Sequence, residues 1–503
     1  MRTLITTSLF LLTIAVEAAV QDNGVLRVET RLVELDVIVR DGHGPVADLK
    51  KEDFTVLDEG KAKRIDVFSV VTPATPRQTL APLSPGTVSN RLPNAEGGTP
   101  PNSTVILFDR LNTPLNAWPY GNKQLIDYLR TMRPHDRIAL YVLSNELRIV
   151  HDFTDSTERL IQAVSQTNIG LNPLDRRPIE EILGLDEGFG QSVVTGSDRG
   201  RESSVMAREL AQQDAVYRSR TTGMALQMIA RHMANLPGRK NVIWLSAGFP
   251  LTPTISETMD AAQSTVQRLN DANVAVYPVD IRGLVPTPPP PALMFIADRT
   301  GGVATIWTNG LSSAIARAVA DSEVTYTLGF YAESDAQDGR FHKLDVKVAR
   351  KGVQVRAREG YYGFGFRKAN TEQVRLKDLG EILGSPLNAT QIRLTGSAQL
   401  SGTEANTYEL TVTVDLADVS FQVEGGYRRG NLQLTARTDT SKSRAAALQS
   451  IPCTYTERQF QMLLLSGLKL KMSVPAEPSA SRIQVAVQDS NTGKIGSLWI
   501  PLK

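Results

Sequence analysis

The segment that most constrains the fold of this chain is a run of mostly apolar residues, 104–108, that ends abruptly in an acid. Polar side chains follow, and Pro114 then opens a helical pattern. Strands that are buried on both faces of a parallel sheet have this pattern. Open α/β sheets bind ligands at the carboxyl ends of their strands, so we expect Asp109 and Thr113 to lie at a ligand-binding site.

A second segment later in the chain repeats this pattern. Residues 241–245 are mostly apolar, and Ser246, Ala247 and Gly248 follow them directly. If both segments are strands of one parallel sheet, their carboxyl ends lie at the same edge. We therefore expect the loops after the two strands to form one face of the domain.

Predicted strands and helices alternate from residue 104 to a last strand at 325–331, which predicts a doubly wound, mostly parallel α/β sheet of one domain. Period-two patterns on either side predict a small N-terminal β-module and a C-terminal β-sandwich. The predicted organisation is a signal peptide at 1–18, the β-module at 22–75, a linker at 76–101, the α/β domain at 102–332 with a polar, glycine-rich insertion at 167–203, a β-hairpin extension at 333–366 (strands 341–348 and 352–357), and the β-sandwich at 372–503.

The start of the chain has the pattern of an export signal. Arg2 precedes a short apolar stretch at 4–15, and small residues near 16–18 offer a cleavage site. This stretch is too short to span a bilayer. We expect an exported protein with no membrane span in the mature chain, located in the periplasm, outside the cell or on the outer surface.

The composition and motifs argue against several classes of function. The net charge of +2 gives no reason to expect a nucleic-acid partner, and the single cysteine, Cys453, has no second cysteine with which to form an internal disulfide. The five histidines show no metal-ligand spacing, and neither a Gly-x-Ser-x-Gly elbow nor a phosphate loop occurs. The sequence therefore predicts a protein that is not an enzyme. Two alternatives stay open, a hydrolase or other enzyme with an unrecognised carboxylate cleft and a structural envelope protein.

The two predicted strand ends resemble the first and fourth strands of a von Willebrand factor A domain, which carry that family's metal-ion-dependent adhesion site. The family typically supplies an acid and two hydroxyls from a first loop, a threonine from a second loop and an aspartate after the fourth strand. The resemblance assigns metal-binding roles to Asp109 and Thr113, and to Thr221 or Thr222 at the predicted opening of a helix, with Thr222 preferred.

Two of the family's five ligand positions are lost in this chain. Leu111 stands where the first hydroxyl belongs, and Ala247 stands where the aspartate belongs. Because Mg²⁺ needs about six oxygens in near-octahedral geometry, we expect a degenerate site with weak or absent Mg²⁺ binding and no other cofactor. We expect Asp280, at the end of the next predicted strand, either to supply the missing metal-binding carboxylate or to form an ion pair with Arg282.

Two further roles stay open at the first strand end. Asp109 is alternatively a cap on the turn before Pro114, with no metal bound. Asn112 supplies an oxygen only if the loop runs differently from that of the family.

Beyond this core, the chain resembles the exported von Willebrand A-related proteins that are abundant in acidobacteria. The resemblance covers roughly residues 25–365 and implies the fold and export. It rests on residues 37–41 with 45–54, residues 107–109 with Asn112 and Thr113, residues 276–283, and residues 326–330 with 360–362.

From these observations we expect a non-enzymatic, adhesion-type binding protein of the bacterial envelope. Its partner would be an exported or envelope protein or another exported macromolecule. We expect that partner to contact the insertion at 167–203 together with the loops at Asp109 and Gly248, because the insertion leads into the helix that carries the second-loop threonine.

Overall fold

The computed structural model describes residues 31–72, 83–91, 102–133, 136–167, 198–236, 238–250, 255–284, 291–332, 338, 340–363, 371–402, 404–440 and 448–502. The predicted signal peptide and residues 168–197 of the predicted insertion lie outside them. Within these ranges, no helix is both long enough and apolar enough to cross a membrane.

The described residues form a mixed α/β structure with several sheets, in agreement with the predicted class. The helices are α1 (Trp118–Leu129), α2 (Thr157–Thr167), α3 (Asp198–Met233), α4 (Ser256–Asp271), α5 (Pro291–Thr300), α6 (Leu311–Ala320), α7 (Glu372–Ile382) and α8 (Glu457–Ser466). The strands are β1 (Arg31–Asp41), β2 (Gly44–Pro45), β3 (Phe54–Asp58), β4 (Lys61–Lys63), β5 (Val67–Val71), β6 (Val88–Ser89), β7 (Asn102–Asp109), β8 (Ile138–Leu143), β9 (Leu147–Thr154), β10 (Arg239–Ser246), β11 (Val274–Asp280), β12 (Thr325–Ala332), β13 (Phe341–Val348), β14 (Gln354–Arg356), β15 (Gly360–Tyr362), β16 (Leu394–Leu400), β17 (Thr407–Val414), β18 (Gln422–Glu424), β19 (Tyr427–Thr438), β20 (Gln449–Thr456), β21 (Leu468–Pro475), β22 (Arg482–Asp489) and β23 (Ile495–Pro501).

A five-stranded sheet in the order β11-β10-β7-β8-β9 forms the centre of the α/β part. Its strands are parallel except for the edge strand β9, which is antiparallel to β8. The two apolar segments singled out in the sequence are the neighbouring strands β7 and β10, with Ile106 opposite Ile243. Their carboxyl ends, at Asp109 and Ser246, therefore lie side by side at one edge of the sheet.

Helices pack on both faces of this sheet because successive side chains of a strand point to opposite faces. Val105 and Leu107 lie in a buried cluster with apolar residues of α3, α4 and α5. Ile106 and Phe108 lie in a second cluster with residues of α1, α2 and α6. The strand β7 is thus buried on both faces, which is why its sequence is apolar without alternation.

The prediction that residues 325–331 form the last strand of the central sheet is wrong. The strand β12 is antiparallel to β1 and to β5, so it belongs to a sheet of the N-terminal region. Tyr326, Leu328 and Phe330 face the core formed by the alternating apolar residues of β1. This pairing buries the apolar face of both strands, which neither would achieve alone.

The predicted hairpin of strands 341–348 and 352–357 is also wrong. The strand β13 pairs with β3 and β15, whereas β14 pairs with β1. Leu344 and Val346 of β13 pack into the same core as Phe54 and Val56 of β3. The region after β12 therefore completes the N-terminal β-structure, because β14 extends the sheet at β1, and β13 and β15 extend the sheet at β3.

The C-terminal residues form two antiparallel sheets that share one core. One sheet has the order β21-β17-β16-β6, and the other has the order β18-β19-β22-β23 with β20 on β19. The strand β6 comes from the segment 76–101, which was predicted to be a linker. The buried Asn90 fixes this segment, since its side chain bonds to the backbone of Ala389, Ile392 and Leu394, each at 2.8 Å.

The C-terminal half docks on the end of α3 through the buried His232. Its Nδ1 lies 2.8 Å from the carbonyl oxygen of Asn388, and its ring stacks on Phe153 with the ring centroids 5.9 Å apart. The hydroxyl of Thr390 donates to the carbonyl oxygen of His232 at 2.9 Å. Because Nδ1 must donate to a carbonyl, the ring proton sits on that nitrogen in the neutral form.

An ion-pair network beside His232 strengthens the same contact. Asp378 of α7 accepts from Arg231 at 3.1 Å and from Arg268 at 2.8 Å. Glu381, one turn further along α7, lies 3.5 Å from Arg231. Since Arg231 is buried, its charge depends on these two carboxylates, and the helix α7 is thereby held against α3 and α4.

The burial of His232 predicts a loss of stability in mild acid. Burial lowers the pKa of His232, and the nearby Asp152 and the Asn388 carbonyl oppose this effect only in part. The unfolded chain therefore binds more protons below pH about 6.5, so the free energy of unfolding falls as the pH drops through that value. Urea unfolding at pH 7.5, 6.5 and 5.5 measures this loss, which we expect His232→Gln to reduce.

The matched control is His43→Gln, because His43 is exposed in the turn between β1 and β2. It should leave the pH dependence of unfolding unchanged. An equal pH dependence in the His232→Gln variant and in the unmodified protein would contradict the assignment.

Candidate functional site

The three residues predicted to bind a metal lie at the carboxyl edge of the central sheet. Asp109 ends β7, Thr113 lies in the following turn, and Thr222 faces both from α3; all three are buried. Thr222 does not open a helix as predicted, because α3 runs without interruption from Asp198 to Met233. It reaches the strand ends from within that helix.

The carboxylate of Asp109 is fully buried and is surrounded by donors. Its Oδ1 accepts from the backbone N–H of Asn112 at 3.0 Å. Its Oδ2 accepts from the side-chain amide of Asn112 at 2.8 Å, from the indole N–H of Trp244 at 3.0 Å and from the hydroxyl of Ser246 at 3.0 Å. The donors come from the turn after β7 and from β10, so the carboxylate joins the two strand ends.

Asn112 extends this network to α3. Its amide nitrogen donates a second hydrogen bond to the Oγ1 of Thr222, also at 2.8 Å. An ionised carboxylate can only accept, so the atom of Asn112 that faces Asp109 is the nitrogen. The side-chain oxygen of Asn112 is buried and has no hydrogen-bond partner among the described residues, so the alternative in which it supplies an oxygen to a cation stays a prediction.

Burial raises the pKa of Asp109, and the hydrogen bonds from Asn112, Ser246 and Trp244 oppose that increase. Removal from water disfavours the charged carboxylate, whereas each donor stabilises it. Asp109 also closes the turn before Pro114 through its bond to the Asn112 backbone, as the capping alternative expected.

Thr113 and Ser246 also make hydrogen bonds at the strand ends, whereas the buried side-chain oxygen of Asn112 has no hydrogen-bond partner in the described part of the chain. The Oγ1 of Thr113 accepts from the backbone N–H of Ala247 at 3.2 Å. The Oγ of Ser246 lies 2.7 Å from the carbonyl oxygen of Gly248 as well as 3.0 Å from Asp109, and its one proton serves one acceptor at a time. These contacts bind the loop after β10 to the loop after β7.

Asp280 does not compensate for the missing acid. Both of its oxygens accept from the guanidinium of Arg282, with bonds of 2.8 to 3.3 Å, so the predicted ion pair is confirmed. The side chain of Leu111, which replaces the first hydroxyl, lies in the apolar core. Within the described ranges, no three His, Cys, Asp or Glu side chains come together as a metal-binding group.

The residues present do not fit a magnesium ion. Mg²⁺ binds oxygens at 2.0–2.1 Å in near-octahedral geometry. Here the one carboxylate is enclosed by N–H and O–H donors, Thr113 accepts from the backbone, and Ala247 offers no side-chain oxygen. Weak or absent Mg²⁺ binding at Asp109, Thr113 and Thr222 stays a prediction to be tested in solution.

Two residues of this network were missed in the sequence. Trp244 and Ser246 belong to the apolar pattern of β10, yet their polar atoms hold Asp109. A tryptophan in a buried strand is a usable signal, because its N–H must find an acceptor when it is removed from water.

Three exposed apolar side chains lie in segments that follow the carboxyl edge of this sheet, and no pattern in the sequence singled them out. Leu115 follows β7, Leu284 follows β11, and Trp307 follows Thr305, which extends the sheet edge beside β11. Asn309 connects the segment after β11 to α1, since its Oδ1 accepts from the backbone N–H of Leu284 at 3.2 Å and its carbonyl oxygen accepts from the Tyr120 hydroxyl at 2.8 Å. We call Leu115, Leu284 and Trp307 the apolar rim.

Comparison with known proteins gives matches only among solved structures. No protein-family model matches the chain, and no curated protein matches it. An aerotolerance-related membrane protein from Bacteroides fragilis is similar at 12% identity, over 43% of this chain and 98% of that chain, with a TM-score of 0.28. The conserved hypothetical protein BatB from Bacteroides thetaiotaomicron is similar at 11% identity, over 44% and 97%, with a TM-score of 0.25.

A longer match involves the three N-terminal domains of the type V pili tip protein Mfa5 from Porphyromonas gingivalis. It has 10% identity over 87% of this chain and 77% of that chain, with a TM-score of 0.28. TM-scores this low carry no information about function, which has to be argued from the residues of the site.

Removal of the Asp109 carboxylate should destabilise the protein strongly. In Asp109→Ala, the donors on Asn112, Trp244 and Ser246 lose their acceptor in a buried site. A buried donor left without a partner costs about 1–3 kcal/mol, so we expect the free energy of unfolding to fall by roughly 3–5 kcal/mol. Urea unfolding followed by tryptophan fluorescence measures it.

Asp127→Ala is the control for this prediction. Asp127 pairs with Lys123 and Arg130 on the surface of α1, and exposed pairs contribute at most about 1 kcal/mol. Equal losses of stability in the two variants would show that the network around Asp109 has no special role.

Proposed function

We propose that this protein is an exported, non-enzymatic binding protein that uses the strand-end face of a von Willebrand A-type domain. This face comprises the loops after β7, β10 and β11 together with residues 305–310. Its partner would be an exported or envelope protein or another exported macromolecule. The single observation that carries the proposal is the exposure of the three apolar rim side chains on segments that follow the strand ends, where the polar groups of Asp109 and its partners are buried.

The arrangement of the strands supports the domain type. The strands β7 and β10 are parallel neighbours in the middle of the sheet, and helices cover both faces. In the family that the sequence resembles, the corresponding strand ends carry the binding site. The export part of the proposal rests on the sequence pattern at 1–18, which lies outside the described residues.

The chemistry of the face favours binding over catalysis. A general acid or base must come within hydrogen-bond reach of a substrate. Asp109 and Asp280 are both fully buried, the first among donors and the second against Arg282. Neither carboxylate has a surface that a substrate can reach, which argues against the carboxylate-cleft alternative at this face.

The apolar rim supplies the binding surface in this proposal. Exposed fractions are 45% for Leu115, 65% for Leu284 and 49% for Trp307. Trp307 also has a positive φ of 54°, a backbone conformation that is unfavourable for a bulky residue and is found most often at functional sites. Tryptophan is among the residues that most often anchor protein interfaces, so Trp307 is the proposed anchor of this surface.

Substitution of the apolar rim tests the proposal. The triple variant Leu115→Ser, Leu284→Ser, Trp307→Ala should fold normally, because all three side chains are exposed. Loss of a tryptophan anchor at an interface costs about 2 kcal/mol or more, so we expect affinity for the partner to fall by at least roughly 30-fold. Capture from an envelope extract identifies the partner, and titration of the purified pair measures the affinity.

The control is Met462→Ser with Leu465→Ser, which removes two exposed apolar side chains from α8 in the C-terminal region. This variant should bind the partner as the unmodified protein does. The proposal fails if the rim variant keeps full affinity, and loss of binding only in the α8 variant would place the partner on the C-terminal region.

A further inference from the structure

The side chain of Asn112 occupies the point at which the predicted metal ligands converge. Its amide nitrogen lies 2.8 Å from the Oδ2 of Asp109 and 2.8 Å from the Oγ1 of Thr222. These are oxygens of two of the three residues to which the sequence assigned a metal. One nitrogen with two N–H groups thus connects the acid of β7 to the hydroxyl of α3.

We propose that the amide group of Asn112 replaces the divalent cation of the adhesion site and holds the strand-end face together without a metal. The two N–H groups carry partial positive charge and point at the two oxygens that a cation would bind. This role accounts for the position of Asn112, which is buried between β7 and α3. It also explains how one buried carboxylate is tolerated without a second charge nearby.

The other contacts occupy the oxygens of Asp109 and Thr113, whereas the buried side-chain oxygen of Asn112 has no hydrogen-bond partner within the described ranges. The Oδ2 of Asp109 also accepts from Trp244 and Ser246, and its Oδ1 accepts from the Asn112 backbone. Thr113 accepts from the backbone N–H of Ala247. A cation would have to displace the amide and several donors, and it would find one carboxylate where Mg²⁺ requires about six oxygens.

The inference deepens the proposed function, because it makes partner binding at this face independent of divalent cations. It does not depend on that function for its test. The readouts below are stability and cation binding of the full mature chain, neither of which involves a partner. Failure of one proposal is therefore distinguishable from failure of the other.

The test compares thermal unfolding in EDTA and in 5 mM MgCl₂ for the unmodified protein, Asn112→Ala and Asn112→Asp. Unmodified protein should melt at the same temperature in both conditions. Asn112→Ala should melt several degrees lower in both, since two buried hydrogen bonds are lost and no ligand is gained. Asn112→Asp should melt lower still in EDTA, because it puts a second carboxylate beside Asp109, and MgCl₂ should raise its melting temperature again.

Asn116→Ala and Asn116→Asp are the matched controls, because Asn116 is exposed four residues further along the chain. Neither should shift the melting temperature by more than about 1 °C, with or without MgCl₂.

Three results would overturn the inference. The first is a saturable increase in the melting temperature of the unmodified protein with MgCl₂. The second is an Asn112→Ala variant as stable as the unmodified protein. The third is an Asn112→Asp variant that folds but does not respond to MgCl₂. If Asn112→Asp does not fold, calorimetric titration of the unmodified protein with MgCl₂ and MnCl₂ decides, and heat of binding that Asn112→Ala abolishes would contradict the inference.

Discussion

The strand-end face depends on the compensation of one buried negative charge. Moving a carboxylate out of water is costly unless donors replace its hydration. Asp109 receives these donors from its own turn and from Trp244 and Ser246 of β10, and Asn112 passes the connection on to α3. Because no single element supplies them all, the charge is tolerated only when both strand ends and the helix are in place.

A hydrogen-bonded amide and a metal ion hold such a face together in different ways. A cation binds strongly but only when it is present, and it leaves coordination positions for a ligand carboxylate. The amide of Asn112 is always present, and its two N–H groups are already used by Asp109 and Thr222. In the proposed function, selection of a partner therefore falls to the exposed side chains of the apolar rim.

The charged groups at the strand ends also favour apolar over ionic contacts in the proposed binding. The two carboxylates nearest to the strand ends are both compensated within the protein, Asp109 by neutral donors and Asp280 by Arg282. Glu146, in the loop after β8 at the same sheet edge, is exposed and pairs with Arg148 at 3.1 Å, so these three carboxylates each have a partner within the protein. In the proposed function, apolar contacts surrounded by polar groups are the main source of affinity, as in the cores of non-obligate protein interfaces.

Local patterns in the sequence predicted the elements that carry strong local signals. The apolar runs of β7 and β10 predicted two buried strands, and two-residue spacing predicted the pair of Asp280 and Arg282. The partner of β12 could not be predicted, since a strand with period-two alternation fits any sheet with an open apolar face. Its partner β1 lies at the start of the described chain, far from β12 in sequence.

The role of Asn112 was unpredictable for a different reason. An amide is both a donor and an acceptor, so the same residue can hold a metal or replace it. Only the positions of the Asp109 and Thr222 oxygens decide between the two. The position of Thr222 was misjudged because the start of α3 lies far upstream, next to a segment whose sequence pattern is that of a loop.

The helix α3 connects the strand-end face to the C-terminal region. Thr222 bonds to Asn112 at one point, and Arg231 and His232 bond to Asp378, Asn388 and Thr390 at another. Nine residues of helix separate Thr222 from Arg231, or about 14 Å. A shift of α3 by one turn would break both sets of contacts at once. The helix α3 thus contacts both the strand-end face and the C-terminal half within about 14 Å of its length.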